Sequence, residues 1–333
     1  MRNKEALLII NPVSGTRSKH GLGKFVSTRL SECGINVKVS VTRGGGDAYR
    51  MAREAADKGI DIVMTAGGDG TVNEAANGLA HTSSTLGILP FGSGNGLARS
   101  LGIPQDIYSA LKVIEEGHSV CCDRGMSNGQ PFYCTFGVGL DATISEKFAT
   151  ASRRGRTTYI RSALREFLNY ESQSYGIMIN GKVITEKAMI IAVCNASQYG
   201  NNAYIAPKAK LTDGLLDITV VHSGNPLSNI LVGVDLMVGN IDKNRSIETF
   251  KTPTVTITRL NEGPVHLDGE PLQMGKRIDI ECEPKVLNVF APEKEIMFRP
   301  IVSPLRAMFD DIRSDLLDKL RNLDNINGEA SDL

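Results

Sequence analysis

The chain is expected to fold as an α/β protein whose first part is a parallel sheet wrapped by helices and whose second part is β-rich. Three observations predict this. Up to about residue 126, short apolar runs alternate with segments of helical periodicity; from about Met126 onward, strand-like runs follow one another between turn signals; and the Gly-rich junctions of the first part all come after strands. A length of 333 residues with 41% hydrophobic content suits two domains, expected at 1–126 and 127–291, with 292–333 returning to the first.

In the first part the spacing predicts strands at 7–10, 36–41, 60–66 and 86–90, and helices at 23–33, 46–58, 71–80 and 93–101. Ligands of such sheets bind where strands hand over to helices, so the junctions 11–15, 42–47, 67–71 and 92–96 are expected to converge on one edge. In the second part strands are expected near 131–138, 174–179, 182–184, 188–195, 216–222, 255–260, 265–267 and 277–283. Helices are expected at 157–170, where Ile160, Ala163, Leu164, Phe167 and Leu168 share a face, and at 226–237. From Leu305 to Leu323 apolar residues recur at helical spacing while the charges cancel, which suits packing on the core or on a second copy better than a basic membrane face.

Bulk properties exclude several classes. Lys plus Arg and Asp plus Glu both number 37, so the basic excess of a nucleic-acid binder is missing. The apolar run 6–10 is too short for a signal peptide, and the longest, Ala188 to Cys194, is far from the roughly 18 residues needed to span a bilayer. Six cysteines without a Cys-x-x-Cys pair, and five histidines without ligand spacing, read as core and surface residues of a cytoplasmic protein.

Chemistry concentrates in four loops. Gly67-Gly68-Asp69-Gly70-Thr71 follows the buried run 60–66; its glycines bring backbone close to a ligand and leave Asp69 and Thr71 as the side chains on offer, an arrangement suited to phosphate and metal. Asn73 and Glu74 follow in the first helical turn, where Glu74 also fits a simple helix start. Asn11-Pro12-Val13-Ser14-Gly15 offers amides and a hydroxyl that could hold a phosphate. In Gly92-Ser93-Gly94-Asn95-Gly96 free amides at a helix start could bind an anion, with Ser93 and Asn95 as donors. Asp268-Gly269-Glu270 puts two carboxylates around a turn, able to bind a cation or accept a proton, or simply to turn the chain.

In order and spacing these motifs resemble the diacylglycerol and lipid kinase catalytic family, which includes bacterial diacylglycerol kinases and the sphingosine and ceramide kinases. The likeness runs from about Lys4 to Phe290 and also takes in Thr42 at the end of the second strand, the run Gly67 to Glu74, and Lys210-Leu211-Thr212-Asp213-Gly214-Leu215. It implies a Rossmann-like nucleotide-binding domain, a β-sandwich-like lipid-substrate domain, and transfer of the ATP γ-phosphoryl group to a lipid hydroxyl at a membrane surface. It further implies that Gly68, Gly70, Thr71 and Ser93 meet the phosphates and that Asp69 organises Mg²⁺ through water with support from Asp123. Glu270 would then accept the hydroxyl proton with Asp268 close by, and a structural Mg²⁺ would be bound by Asp213 and the carbonyls of Lys210 and Leu215. One departure is Gly96, where bacterial diacylglycerol kinases usually carry Asp; sphingosine and ceramide kinases have a small residue there.

The basic cluster Arg153, Arg154, Arg156, Arg161 and Arg165 suits either a solvated loop or contact with anionic headgroups, each charge there being worth about 1 kcal/mol. An edge strand or the last helix could pair two copies. The distantly related NAD kinases also carry Gly-Gly-Asp-Gly-Thr, which leaves an NAD kinase-like phosphotransferase as an alternative, and Gly96 leaves an inactive lipid-binding protein as another. Gly137-Val138-Gly139-Leu140-Asp141-Ala142 fits a dinucleotide fingerprint but is expected to lack the following helix.

Overall fold

The computed structural model describes residues 4–15, 17–150, 170–200, 203–222, 232, 235, 241 and 244–293. The basic cluster at 153–165, the helices expected at 157–170 (save Tyr170) and 226–237, and the C-terminal segment from 294 lie outside these residues, apart from positions 232 and 235, which are helical.

The first part alternates as its periodicity dictates. Strands β1 (Lys4–Ile10), β2 (Ile35–Val41), β3 (Ile62–Gly67) and β4 (Thr85–Pro90) run parallel in the order β4-β3-β1-β2. Every residue of β3 is buried, as a central parallel strand covered on both faces requires. Helix α1 (Leu22–Ser31) buries Leu22, Val26 and Leu30, and α2 (Asp47–Asp57) buries Ala48, Ala52 and Ala55. Those alanines let α2 lie close against α3 (Asp69–Leu79), where a Cβ on Gly78 would stand 2.6 Å from the Tyr49 carbonyl oxygen.

After the short helix α4 (Gly96–Ser100) come two elements that the periodicity left unassigned, α5 (Ile107–Glu116) and β5 (Ser119–Ser127). The Asp106 side chain caps α5 by accepting the Ser109 amide at 2.8 Å. The expected domain boundary at residue 126 falls inside β5.

The second part comprises β6 (Gln130–Phe132), β7 (Thr135–Gly139), α6 (Leu140–Thr150), β8 (Gln173–Ile179), β9 (Lys182–Cys194), β10 (Leu216–His222), β11 (Ile247–Thr252), β12 (Thr254–Arg259), β13 (Gly263–Leu267), β14 (Glu270–Met274) and β15 (Arg277–Phe290). The runs 182–184 and 188–195 form one strand: the polar stretch between them pairs with β8, Thr185 opposite Gly176 and Lys187 opposite Ser174. Helix α6 follows Gly139 directly, contrary to expectation. The dinucleotide reading fails for another reason, since β7 pairs antiparallel with both β9 and β13 instead of standing in a parallel unit.

Among the described residues three apolar cores result, one around Leu8, Met64, Leu86 and Ile88, a second around Phe136, Ile191, Val193, Ile218 and Ile278, and a third around Leu140, Met189, Ile205 and Val221. Strand β15 belongs to the first two. Its first half pairs antiparallel with β12, and its last residues pair parallel with β4, Asn288 opposite Thr85. Between these halves its register with β5 shifts between Glu283 and Leu287, where Lys285 has φ 54. No helix among the described residues is long and apolar enough to cross a membrane.

Candidate functional site

The loops after β1, β3 and β4 converge as the sheet order requires, and they touch backbone to backbone. A Cβ on Gly92 would lie 2.8 Å from Gly68 Cα, and one on Gly15, itself at φ +64, would lie 1.9 Å from the Phe91 carbonyl oxygen. The Asn11 amide side chain donates to Thr71 Oγ1 at 2.9 Å, joining the first loop to the start of α3. Ser14 bonds the Asn11 carbonyl at 3.2 Å, Thr42 is buried with its amide on Ile10 O at 2.9 Å, and Gly70 and Ser93 are exposed at the mouth.

Asp69 opens α3 and is half-buried. Its Oδ2 accepts the Asn95 amide at 2.9 Å and its Oδ1 the Gly96 amide at 2.7 Å. These are amides that the sequence offered to an anion; in the structure the protein's own carboxylate occupies them. The Asn95 side chain is likewise engaged, donating to Gly92 O at 2.9 Å and Gln105 Oε1 at 2.8 Å, so it braces the loop. Gly96 is tight against Cys134, whose Sγ a Cβ there would approach to 3.3 Å, and Asp69 Oδ1 would be in ordinary contact at 3.7 Å. Cys134 gives glycine at this position a steric basis, and a carboxylate there would add like charge beside Asp69.

One turn along α3, Asn73 donates to Asp268 Oδ2 at 3.0 Å and so ties the first domain to the second. Glu74 turns the other way and accepts the amides of Gly46 at 2.9 Å and Ala48 at 3.0 Å, capping α2. Both residues therefore have a structural role.

Asp268 also receives the amides of Tyr133 at 2.8 Å on Oδ2 and of Cys134 at 2.7 Å and Thr135 at 2.8 Å on Oδ1. With Asn73 this fills all the lone-pair positions of a carboxylate, so Asp268 is an anchor and has no site left to take a proton from an acceptor. Burial raises its pKa, and the three amides oppose that. Glu270 is exposed as the first residue of β14. Cys134, which the sequence did not single out, links the two carboxylates: its amide binds Asp268, and burial together with the charges of Asp268 and Asp69 pushes its thiol well above the usual range.

Asp123 is fully buried and accepts the amides of Gly214 at 2.6 Å and Lys285 at 2.8 Å, so it secures the 210–215 turn. Asn195, also missed in the sequence, is buried beside it and donates to Asp123 O at 2.9 Å and Tyr133 O at 2.8 Å. At the turn itself Asp213 Oδ2 accepts the Lys251 ammonium at 2.8 Å and Oδ1 the Leu215 amide at 3.1 Å, while Asp217 lies 3.3 Å from the same ammonium. Each Asp213 oxygen thus has one donor, and Lys251 supplies a cation that competes with a divalent ion held by Asp213 and the carbonyls of Lys210 and Leu215. Among the described residues no three His, Cys, Asp or Glu side chains are grouped to hold a metal by themselves. Asp69 fits Mg²⁺ in a different manner: each of its oxygens keeps a lone pair for a metal-bound water, as Mg²⁺ prefers when phosphates complete its shell.

Residues 5–126 match the model of the diacylglycerol kinase catalytic domain, and residues 134–291 that of the YegS C-terminal NAD kinase beta sandwich-like domain. The chain is 32% identical over 249 residues to a Chromohalobacter salexigens protein named "Probable lipid kinase YegS-like", covering 73% of this chain and 80% of that one. It is 30% identical over 272 residues to the diacylglycerol kinase of Bacillus subtilis, covering 80% and 90%. A crystal structure of a diacylglycerol kinase from Bacillus anthracis superposes with a TM-score of 0.69 at 26% identity, over 87% of this chain and 97% of that one. With both halves of the site carried on these matched regions, the chain belongs to the diacylglycerol and lipid kinase family of phosphotransferases.

Proposed function

We propose that the protein is an ATP- and Mg²⁺-dependent lipid kinase that transfers the γ-phosphoryl group to a hydroxyl of a diacylglycerol- or sphingoid-type lipid presented at a membrane surface. The observation that supports this most is the Asp69 carboxylate, fixed by the Asn95 and Gly96 amides at the mouth of the parallel sheet and retaining acceptor capacity on both oxygens. Phosphoryl transfer has a loose transition state, so catalysis is mainly positioning and charge stabilisation. Gly68, Gly70, Thr71 and Ser93 line the place for the phosphates, with Asn11 orienting the Thr71 hydroxyl. Mg²⁺, when bound, neutralises developing charge on the phosphates, and Asp69 orients its water ligands. Glu270, exposed at the end of the β13–β14 turn, accepts the proton of the attacking hydroxyl. Asn73 and Asp268 keep the two lobes in register.

The test offers radiolabelled ATP with and without Mg²⁺ to the protein together with diacylglycerol, sphinganine, ceramide and NAD. Metal-dependent label in one of the lipids is the expected result. Label in NAD alone, or in none of the acceptors, overturns the proposal.

A further inference from the structure

Immediately beneath the turn that carries Glu270 lies a buried polar cluster outside the machinery described above. Asp268 and Gly269, at φ 51 and φ 88, form a two-residue turn of the I′ kind, with Leu267 opposite Glu270. The position of Glu270 is thus set by whatever holds the turn. Asp268 is held on one side by β7 and α3. On the other side the Gly269 amide donates to Nδ1 of His266 at 3.3 Å, and His266 is only 1% exposed.

The opposite ring nitrogen, His266 Nε2, lies 3.2 Å from Asp141 Oδ2, which also accepts the Tyr199 hydroxyl at 3.0 Å. The Tyr199 ring meets the imidazole edge-on, with centroids 5.7 Å apart. Asp141 is itself fixed at the start of α6, its Oδ1 accepting the Ala142 amide at 2.8 Å. The contact also depends on Gly137, which faces His266 in the β7–β13 ladder: a Cβ there would lie 2.3 Å from His266 Nε2 and 2.1 Å from Asp141 Oδ2. A slot made by a glycine, a carboxylate at a helix start and a tyrosine hydroxyl all serve one ring orientation.

We propose that His266 is a positioning residue for the transfer reaction: neutral, with its proton on Nε2, it holds the Gly269 amide and thereby aims Glu270. An amide can only donate, so Nδ1 must accept; a carboxylate accepts, so Nε2 must carry the hydrogen. The groups facing the ring are Asp141 from α6, Tyr199 from the loop after β9 and the Asp268–Gly269 turn. The role rests on the reading of Glu270 as proton acceptor, whereas the tautomer does not.

Two isosteric replacements separate positioning from packing. His266→Asn presents an acceptor near the place of Nδ1 and can still receive the Gly269 amide, while His266→Gln reaches toward Asp141 and leaves that amide alone. The Gln and Ala variants are expected to lose about tenfold to a hundredfold in kcat with KM for ATP unchanged, since a small misplacement of a reacting group is costly. The Asn variant should restore most of that loss. Equal kcat in the Asn and Gln variants would overturn the proposal. Nitrogen-15 spectroscopy of the wild-type imidazole gives a second readout independent of turnover, in which a hydrogen on Nε2 alone is expected and one on Nδ1 overturns the assignment. Should the wild-type protein phosphorylate no lipid, the proposed function fails while the spectrum still decides the tautomer.

Discussion

Asp69 and Asp268 are both loop carboxylates next to glycine, and the structure uses them in opposite ways. Asp69 accepts one amide on each oxygen; Asp268 accepts two donors on each. The first is held in place and still has capacity for a ligand, whereas the second is spent on joining β7, α3 and the β13–β14 turn. Residue type at a motif position thus says less about chemistry than the number of donors already committed to it.

The sharpest way to break this contrast is Asp69→Asn, which keeps one acceptor and turns an NH₂ toward the other backbone amide. Phosphoryl transfer should fall by about a hundredfold to a thousandfold, the usual consequence of removing one preorganised electrostatic group. The melting temperature should fall less than on loss of Asp268, and a variant that keeps its turnover in the radiolabel assay would erase the distinction. Asp268→Ala should show the reverse emphasis. It strands three amides and the Asn73 side chain away from their acceptor, and a stability loss of about 3 kcal/mol or more is expected in urea denaturation. An unchanged midpoint would show that Asp268 is not an anchor.

Gly96→Asp probes the ground between them. With Cys134 Sγ 3.3 Å from the new Cβ, overpacking should cost about 1–3 kcal/mol, measured in the same way. A stabilised variant would refute the steric reason given for the glycine.

The smallest effect concerns Lys251 at the 210–217 turn. Burial alone would lower its pKa, but the Asp213 hydrogen bond and the Asp217 charge outweigh that, so the folded value is raised. Its contribution to stability is complete below the unfolded value of about 10.4 and is lost as pH rises through the folded one. Lys251→Met should therefore abolish an alkaline limb in the melting temperature above about pH 10. Chelation should leave the wild-type melting temperature unchanged, and a marked fall on chelation would place a metal at this turn after all.

Much of the architecture was legible because apolar periodicity is local. The β3 run, the faces of α1 and α2 and the strands β10 and β13 follow directly from residue spacing. Helix α5 escaped although Asp106 and the spacing of Ala110, Leu111, Val113 and Ile114 announce it. At the site, the loops at 67–71 and 92–96 could be found from glycine and position. Their hydrogen-bond partners could not, because the Asp69–Gly96 and Asn73–Asp268 pairs are 27 and 195 residues apart in the chain. His266 was invisible for a related reason: a single histidine in a strand acquires meaning only when Gly137 and Asp141 are brought opposite it.

Strand β15 has a mechanical consequence. Because one unbroken segment is stitched to β12 at one end and to β4 at the other, the lobes cannot slide past each other without tearing a ladder. The one irregular stretch between these ladders lies near Lys285, whose amide is clamped by the same Asp123 that grips the turn at Gly214. Asp123 thereby fastens the 210–215 turn to the strand that both lobes share.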